Sequence, residues 1–411
     1  MHYLPRHIEK QIVESSKYFK AILLLGARQV GKSTLLFHLF PDMKTIVFDP
    51  IQDIYRARAD PELFLESFPA PLVLDEVQYV PELLASLKRK MDKSDLKGQY
   101  FLTGSQNFSM LRSIAESMAG RVAIFHLDNF TPQEILGRGD AEGWLPSYLE
   151  NPESFYRGRE TFPPPFPPLV EFLFRGTFPA TVDFPTSQIP RYFRSYLQTY
   201  VERDVRVQED IRQTAEFDRF LGIIASLTAQ EINASQLGRE IGISPHTARR
   251  WLDLLSFTYQ WHELLPYHGN TIKRISGKKK GYFKDSGFAC YLQKIESPEG
   301  LAVSPRLGAL FETWVVAYIH QQSATLSVPP NAYHWRTAGG SEVDLILERD
   351  GKLYPIEIKC KTHLTKADLT GLRAFRETYS QNAIMPALVI HAGSEAFMLD
   401  KETFAIPWNL L

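Results

Sequence analysis

Cysteine is nearly missing from this chain of 411 residues: two thiols, Cys290 and Cys360, stand far apart. That excludes a disulfide framework and a cysteine-ligated zinc ribbon, and it suits a reducing cytoplasm with both thiols as buried packing groups. No apolar run reaches the roughly 18 residues that a membrane-crossing helix needs. The opening residues, MHYLPRHIEKQ, lack the apolar heart of a secretory leader. A cytoplasmic location and no membrane partner are therefore expected. An excess of one charge is also lacking. Lys and Arg number 46 against 47 Asp and Glu, so any contact with nucleic acid has to come from a local patch. The histidines show no H-E-x-x-H spacing, no G-x-S-x-G is present, and no repeat or heptad run appears.

Apolar residues are plentiful, at 44%, enough to fill cores in two to four domains. Short apolar runs at Ala21–Leu25, Thr45–Phe48, Pro71–Leu74, Gln99–Thr103 and Val122–Leu127 read as buried strands. Helical patterns such as Lys32–Phe40 and Pro81–Lys93 fall between them. That alternation predicts an α/β fold with a parallel sheet covered on both faces. Composition then divides the chain into residues 1–139, a connector or insert over 140–188 rich in Pro and aromatics, a helical region over 189–300, and a final α/β segment over 301–411.

Residues Gly26–Thr34 read GARQVGKST and satisfy G-x-x-x-x-G-K-[ST] between a predicted strand and a predicted helix. Glycine at Gly26 and Gly31 lets the backbone N–H groups of Ala27, Arg28, Gln29, Val30 and Thr34 wrap phosphates at a helix N-terminus. Lys32 would reach the β- and γ-phosphates of ATP, and Ser33 would ligate Mg²⁺. The run LVLDE ends a predicted strand in two carboxylates. Asp75 suits the Mg²⁺ ion, and Glu76 is placed to polarise the attacking water. The next strand ends in FLTGSQN, whose Ser105 and Gln106 are candidates for sensing the γ-phosphate, with Thr103 behind them. Arg121 is either a finger delivered to a neighbouring subunit or an arginine paired within its own subunit. Arg203 and Arg206, in YVERDVR, are weaker candidates of the same kind.

The run INASQLGREIGISPHTARRWLDLL predicts a helix ending at Gly242 and a second helix capped by Ser244 with Pro245 in its first turn. His246, Thr247, Arg249 and Arg250 would project from that second helix, the position of a recognition helix. The basic stretch from Lys273 through Lys280 to Lys284 could form a wing over a DNA backbone, with Lys278, Lys279 and Lys280 as the contacts. The competing reading is a winged helix that packs against protein.

Near the C-terminus, EVDLIL and LYPIEIK flank an Asp350-Gly351 bend and predict a hairpin. Period-two alternation puts Glu357 and Lys359 on one face, with Asp344 on the partner strand and Glu312 on an upstream helix. This set resembles the PD-(D/E)xK nuclease constellation, in which Glu312, Asp344 and Glu357 would hold Mg²⁺ and Lys359 would stabilise developing charge. The alternative is a nuclease-like fold used only as an interface.

Taken with YLQTYVERDV, YFKDSGFA and the segments above, the chain resembles the prokaryotic AAA-superfamily ATPases that carry domain of unknown function number 4143. The resemblance covers nearly the whole chain. It implies an AAA-type ATP-binding core, a winged helix, a nuclease-like C-terminal domain, and assembly into homo-oligomers. The insert over 140–168 departs from the family pattern.

Overall fold

A computed structural model describes residues 3–53, 55–105, 118–157, 166–200 and 214–410. The chain divides into two compact units. One comprises Met1–Ala141 with Phe178–Ala180 and Leu254–Gln260; the other holds Glu142–Thr177, Thr181–Asp253 and Trp261–Leu411.

Among the described residues, the first unit is built on five strands: β1 (Ala21–Leu25), β2 (Lys44–Val47), β3 (Leu72–Asp75), β4 (Tyr100–Gly104) and β5 (Val122–His126). They pair side by side in the order β2-β3-β4-β1-β5, every pair parallel. The central strands β1, β3 and β4 are buried along their whole length, which is why they read as continuous apolar runs instead of alternating ones. Helix Lys32–Leu39 buries Leu35 and Leu36, and helix Leu83–Asp92 buries Leu83, Leu84, Leu87 and Met91. Strand bounds differ from the sequence expectation by about one residue, as end fraying allows. The topology leaves Leu25, Asp75 and Gly104 at one sheet edge, where open parallel sheets bind ligands.

Among the described residues, the second unit holds a ten-stranded mixed sheet. Its strands are β6 (Gln230–Glu231), β7 (Trp261–Pro266), β8 (Lys280–Phe283), β9 (Asn331–Arg336), β10 (Glu342–Arg349), β11 (Lys352–Lys359), β12 (Ala383–Ile384), β13 (Ala387–His391), β14 (Phe397–Asp400) and β15 (Thr403–Pro407). The order is β14-β15-β13-β11-β10-β9-β7-β8-β6, with β12 beside β11. Residues 189–300 and 301–411, divided by composition, therefore share one sheet, because β7 runs parallel to β9 with Leu265 opposite Tyr333. The hairpin at Asp350-Gly351 forms, both residues taking positive φ (51° and 73°).

Helix Ala234–Ile241 ends on Gly242 at φ 88°, and helix Pro245–Phe257 starts where the Ser244 hydroxyl accepts the Thr247 N–H at 3.0 Å. Between β7 and β8, which pair antiparallel, Lys273 and Arg274 lie in a short helix, Thr271–Ser276; Lys278 and Lys279 follow it and Lys280 opens β8. The described start of the insert is core-forming. Helices Trp144–Glu150 and Pro152–Arg157 pack Trp144 against Tyr318 and Tyr148 against Tyr354. The Tyr354 hydroxyl donates to the Leu149 carbonyl at 2.7 Å.

Cys290 is buried, but Cys360 is only half-buried, and burial pushes its thiol up to about 11. No helix among the described residues is long and apolar enough to cross a membrane.

Candidate functional site

The phosphate loop leaves β1 at Gly26. A Cβ there would sit 2.1 Å from the Leu127 carbonyl oxygen, so only glycine fits. Gly31 caps the following helix at φ 94°, and Gln29 also takes positive φ, 64°. The loop curls so that the Lys32 ammonium rests on the carbonyls of Gly26 and Ala27, at 3.0 and 2.7 Å. Arg6 fixes the loop from behind. Its guanidinium donates to the carbonyls of Val30 (3.0 Å), Asp128 (2.6 Å) and Asn129 (3.1 Å) and forms a buried ion pair with Glu134 at 3.1 Å. Arg28 donates to the Tyr79 hydroxyl at 2.8 Å.

Three strand ends converge beside the loop. The Ser33 hydroxyl lies 2.8 Å from both Asp75 carboxylate oxygens, and Thr103 also donates to Asp75. Glu76 sits in the left-handed region at φ 59°, an uncommon conformation for a side chain of this size and a feature found at functional sites. Its N–H donates to Thr103 Oγ1 at 3.0 Å, and its carboxylate accepts from Ser105 Oγ at 3.1 Å and from Gln78. Gln78 also donates to Ser105 at 3.0 Å. Ser33, Asp75, Glu76, Ser105 and Lys32 are thus brought together. Gln78 and Arg6 were not foreseen. Gln78 carries only the signal of a polar residue two places after Glu76, and Arg6 gives none, since its partners lie far along the chain.

Arg121 is not brought to this loop. It precedes β5, at the sheet edge opposite the phosphate loop, and pairs with Asp92 of its own chain. Gln106, Arg203 and Arg206 lie outside the described residues.

The proposed DNA-binding set is divided. His246 and Lys278 are exposed, as is Arg250. Arg249 is engaged by Asp253 at 2.6 Å and Glu263 at 2.9 Å, and Lys279 also pairs with Glu263 at 2.9 Å. Thr247 is half-buried beside its cap. Lys280 contradicts the expectation of a wing contact. It is 7% exposed, because the register opposite Leu264 turns its side chain into the unit.

There the Lys280 ammonium lies 2.6 Å from Glu312 and 3.5 Å from Asp344. The Tyr282 hydroxyl donates to Glu312 at 2.8 Å, and the Ile358 N–H donates to Asp344 at 2.9 Å. Lys359 pairs with Glu357. Burial, reinforced by the Asp344 charge, pushes the Glu312 carboxyl up to about 7 and the Glu357 carboxyl well above the usual range. Burial alone would lower the Lys280 ammonium, yet Tyr282, Glu312 and Asp344 hold it above its ordinary value. Glu312, Asp344, Glu357 and Lys359 do share one neighbourhood, as the sequence anticipates. Among the described residues, no group of three or more His, Cys, Asp or Glu side chains stands together as a metal-holding set.

Comparison with known proteins bears on the first site. Residues 18–136 match the family described as AAA domain. This match supports ATP binding and ATPase activity. Residues 167–299 match Domain of unknown function (DUF8612), and residues 307–411 match Domain of unknown function (DUF4143). Two curated relatives, uncharacterized proteins of Mycobacterium tuberculosis and Mycobacterium bovis, are each 26% identical over 389 residues, 94% of this chain and 79% of theirs. Among solved structures, a Walker-type ATPase of Pyrococcus abyssi aligns with a TM-score of 0.43 and 17% identity, over 71% of this chain and 96% of its own. That score is too low for the likeness to bear on function.

Proposed function

We propose that this chain is a cytoplasmic Mg²⁺-dependent ATPase whose turnover switches the binding state of its second unit, in a homo-oligomeric assembly. The observation that carries the reading is the convergence of Lys32, Ser33, Asp75, Glu76 and Ser105 at one sheet edge. Ser33 and Asp75 offer adjacent hard oxygen donors, which fits Mg²⁺. The ion would supply positive charge to the phosphate oxygens when bound.

The chain's own residues supply the remainder. Loop N–H groups at the helix start cradle phosphate. Lys32 exchanges two carbonyl partners for phosphate oxygens, a charge-assisted contact worth more than a neutral one. Glu76 accepts the proton of the attacking water, held on line by Ser105 and Gln78. The test is ATP retention by the purified chain. Lys32→Ala should weaken it about 100-fold; affinity equal to the parent chain would remove the loop as the nucleotide site.

For the second unit two partners remain in view. DNA would meet helix Pro245–Phe257 at the exposed His246 and Arg250 and the half-buried Thr247, with Lys278 as a further exposed charge. A protein partner is favoured by the engagement of Arg249 and Lys279 with acids and by the burial of Lys280, which removes charge from a DNA-facing patch. Salt-sensitive duplex binding that disappears in Arg250→Glu with Lys278→Glu selects DNA; no such binding selects protein.

A further inference from the structure

Glu312, Asp344 and Glu357 are the carboxylates that a PD-(D/E)xK-type centre would offer to a divalent cation. Their geometry does not fit one. A magnesium or calcium ion needs about six oxygen ligands around a common point. Here the point between Glu312 and Asp344 is taken by the Lys280 ammonium, at 2.6 and 3.5 Å. The second Asp344 oxygen is committed to the Ile358 N–H at 2.9 Å, and Glu312 also takes the Tyr282 hydroxyl at 2.8 Å. Glu357 is paired by Lys359, and its remaining oxygen is buried with no hydrogen bond.

Local packing fixes this arrangement. Lys280 and Tyr282 sit two apart on β8 and so share one face of the strand. Between them, a Cβ on Gly281 would lie 1.9 Å from the Trp261 indole, so the strand lies hard against that ring. The register opposite β7 then sets Lys280 toward Glu312 and Asp344.

We infer that Lys280 is the resident cation between Glu312 and Asp344, and that these three groups form an ionic junction fastening β8 to helix Leu307–Ala324 and β10, not a divalent-metal position. The sequence shows the acids without the lysine that answers them. This inference does not depend on ATP binding by the first unit, and its test leaves ATP aside.

The test uses the full chain without nucleotide, in an Asp75→Asn background that silences the phosphate-loop metal position. Two quantities are read: the thermal midpoint in EDTA, and Mn²⁺ binding by calorimetry. Asp344→Asn keeps an acceptor for the Ile358 N–H but strips the ion pair. It should lower the midpoint by on the order of 5 °C, with no Mn²⁺ bound before or after the change. In an empty metal centre the sign reverses, because removing one of several repelling carboxylates raises the midpoint. A raised midpoint, or Mn²⁺ binding that Asp344→Asn abolishes, would overturn the inference. Lys280→Met should also lower the midpoint; if that variant fails to fold, the Asp344→Asn comparison decides alone.

Discussion

The two polar centres of this molecule use the same residue types in opposite states. At the phosphate loop, Lys32 donates to two backbone carbonyls, and Asp75 accepts from the hydroxyl groups of Ser33 and Thr103. These are hydrogen bonds to backbone and hydroxyl oxygens, contacts that phosphate and a cation could take over. In the second unit, Lys280 and Lys359 lean on carboxylates. Those charges have already found each other, and a new ion would have to break pairs that burial makes hard to replace. The carbonyl contacts of Lys32 thus contrast with the carboxylate contacts of Lys280 and Lys359.

The largest effect that tests this contrast falls on chemistry. Glu76→Gln should retain ATP while slowing turnover by about 10²–10⁴, measured as phosphate release under saturating ATP. Turnover at the parent rate would mean that Glu76 is not the base. Next comes the centre in the second unit. Lys280→Met leaves buried carboxylates without their cation and should cost about 3–5 kcal/mol in denaturant unfolding. Lys359→Met, at a side chain that is a quarter exposed, should cost clearly less. Equal costs would erase the distinction between the two lysines.

A pH effect of similar size belongs to the same neighbourhood. His334 lines a cavity of about 380 Å³ with Lys280 and Glu312, and its ring N–H donates to the Lys278 carbonyl at 3.0 Å. Burial, with Lys280 adding to it, lowers its pKa from 6.5 to about 4. The folded state therefore favours the neutral ring. Its contribution is complete above pH 6.5 and is lost as pH falls toward 4, about 3 kcal/mol over that window. His334→Gln should flatten the pH dependence of unfolding between those limits; an unchanged slope would assign it to other groups. The smallest effect is Ser105→Ala, which removes one hydrogen bond from Glu76. A loss of about 1 kcal/mol in transition-state stabilisation, several-fold in turnover, is expected.

Much of the first unit is legible in sequence because its strands are short, wholly apolar and punctuated. AILLL ends at the glycine of the loop, and LVLD ends at the carboxylates. The helix pair around Gly242 announces itself through Ser244 and Pro245. What is not legible depends on contacts between distant segments. β9 is not anticipated, because NAYHWR shows only weak alternation and gains its place by pairing with β7 and β10. In the run Lys278, Lys279, Lys280 nothing local says which lysine turns inward; the register with β7 decides it. Arg121 follows the same rule, since its pairing with Asp92 depends on where a helix ends.

The parallel seam between β7 and β9 has a practical consequence for anyone dividing this chain. A cut near residue 300 looks natural from composition, yet it would bare the flank of β7 on one fragment and of β9 on the other. Open strand flanks recruit foreign strands, so both pieces should precipitate or pair wrongly. Because β6 pairs with β8 and helix Trp144–Glu150 packs on Tyr318 and Tyr354, everything from Glu142 onward is better expressed whole.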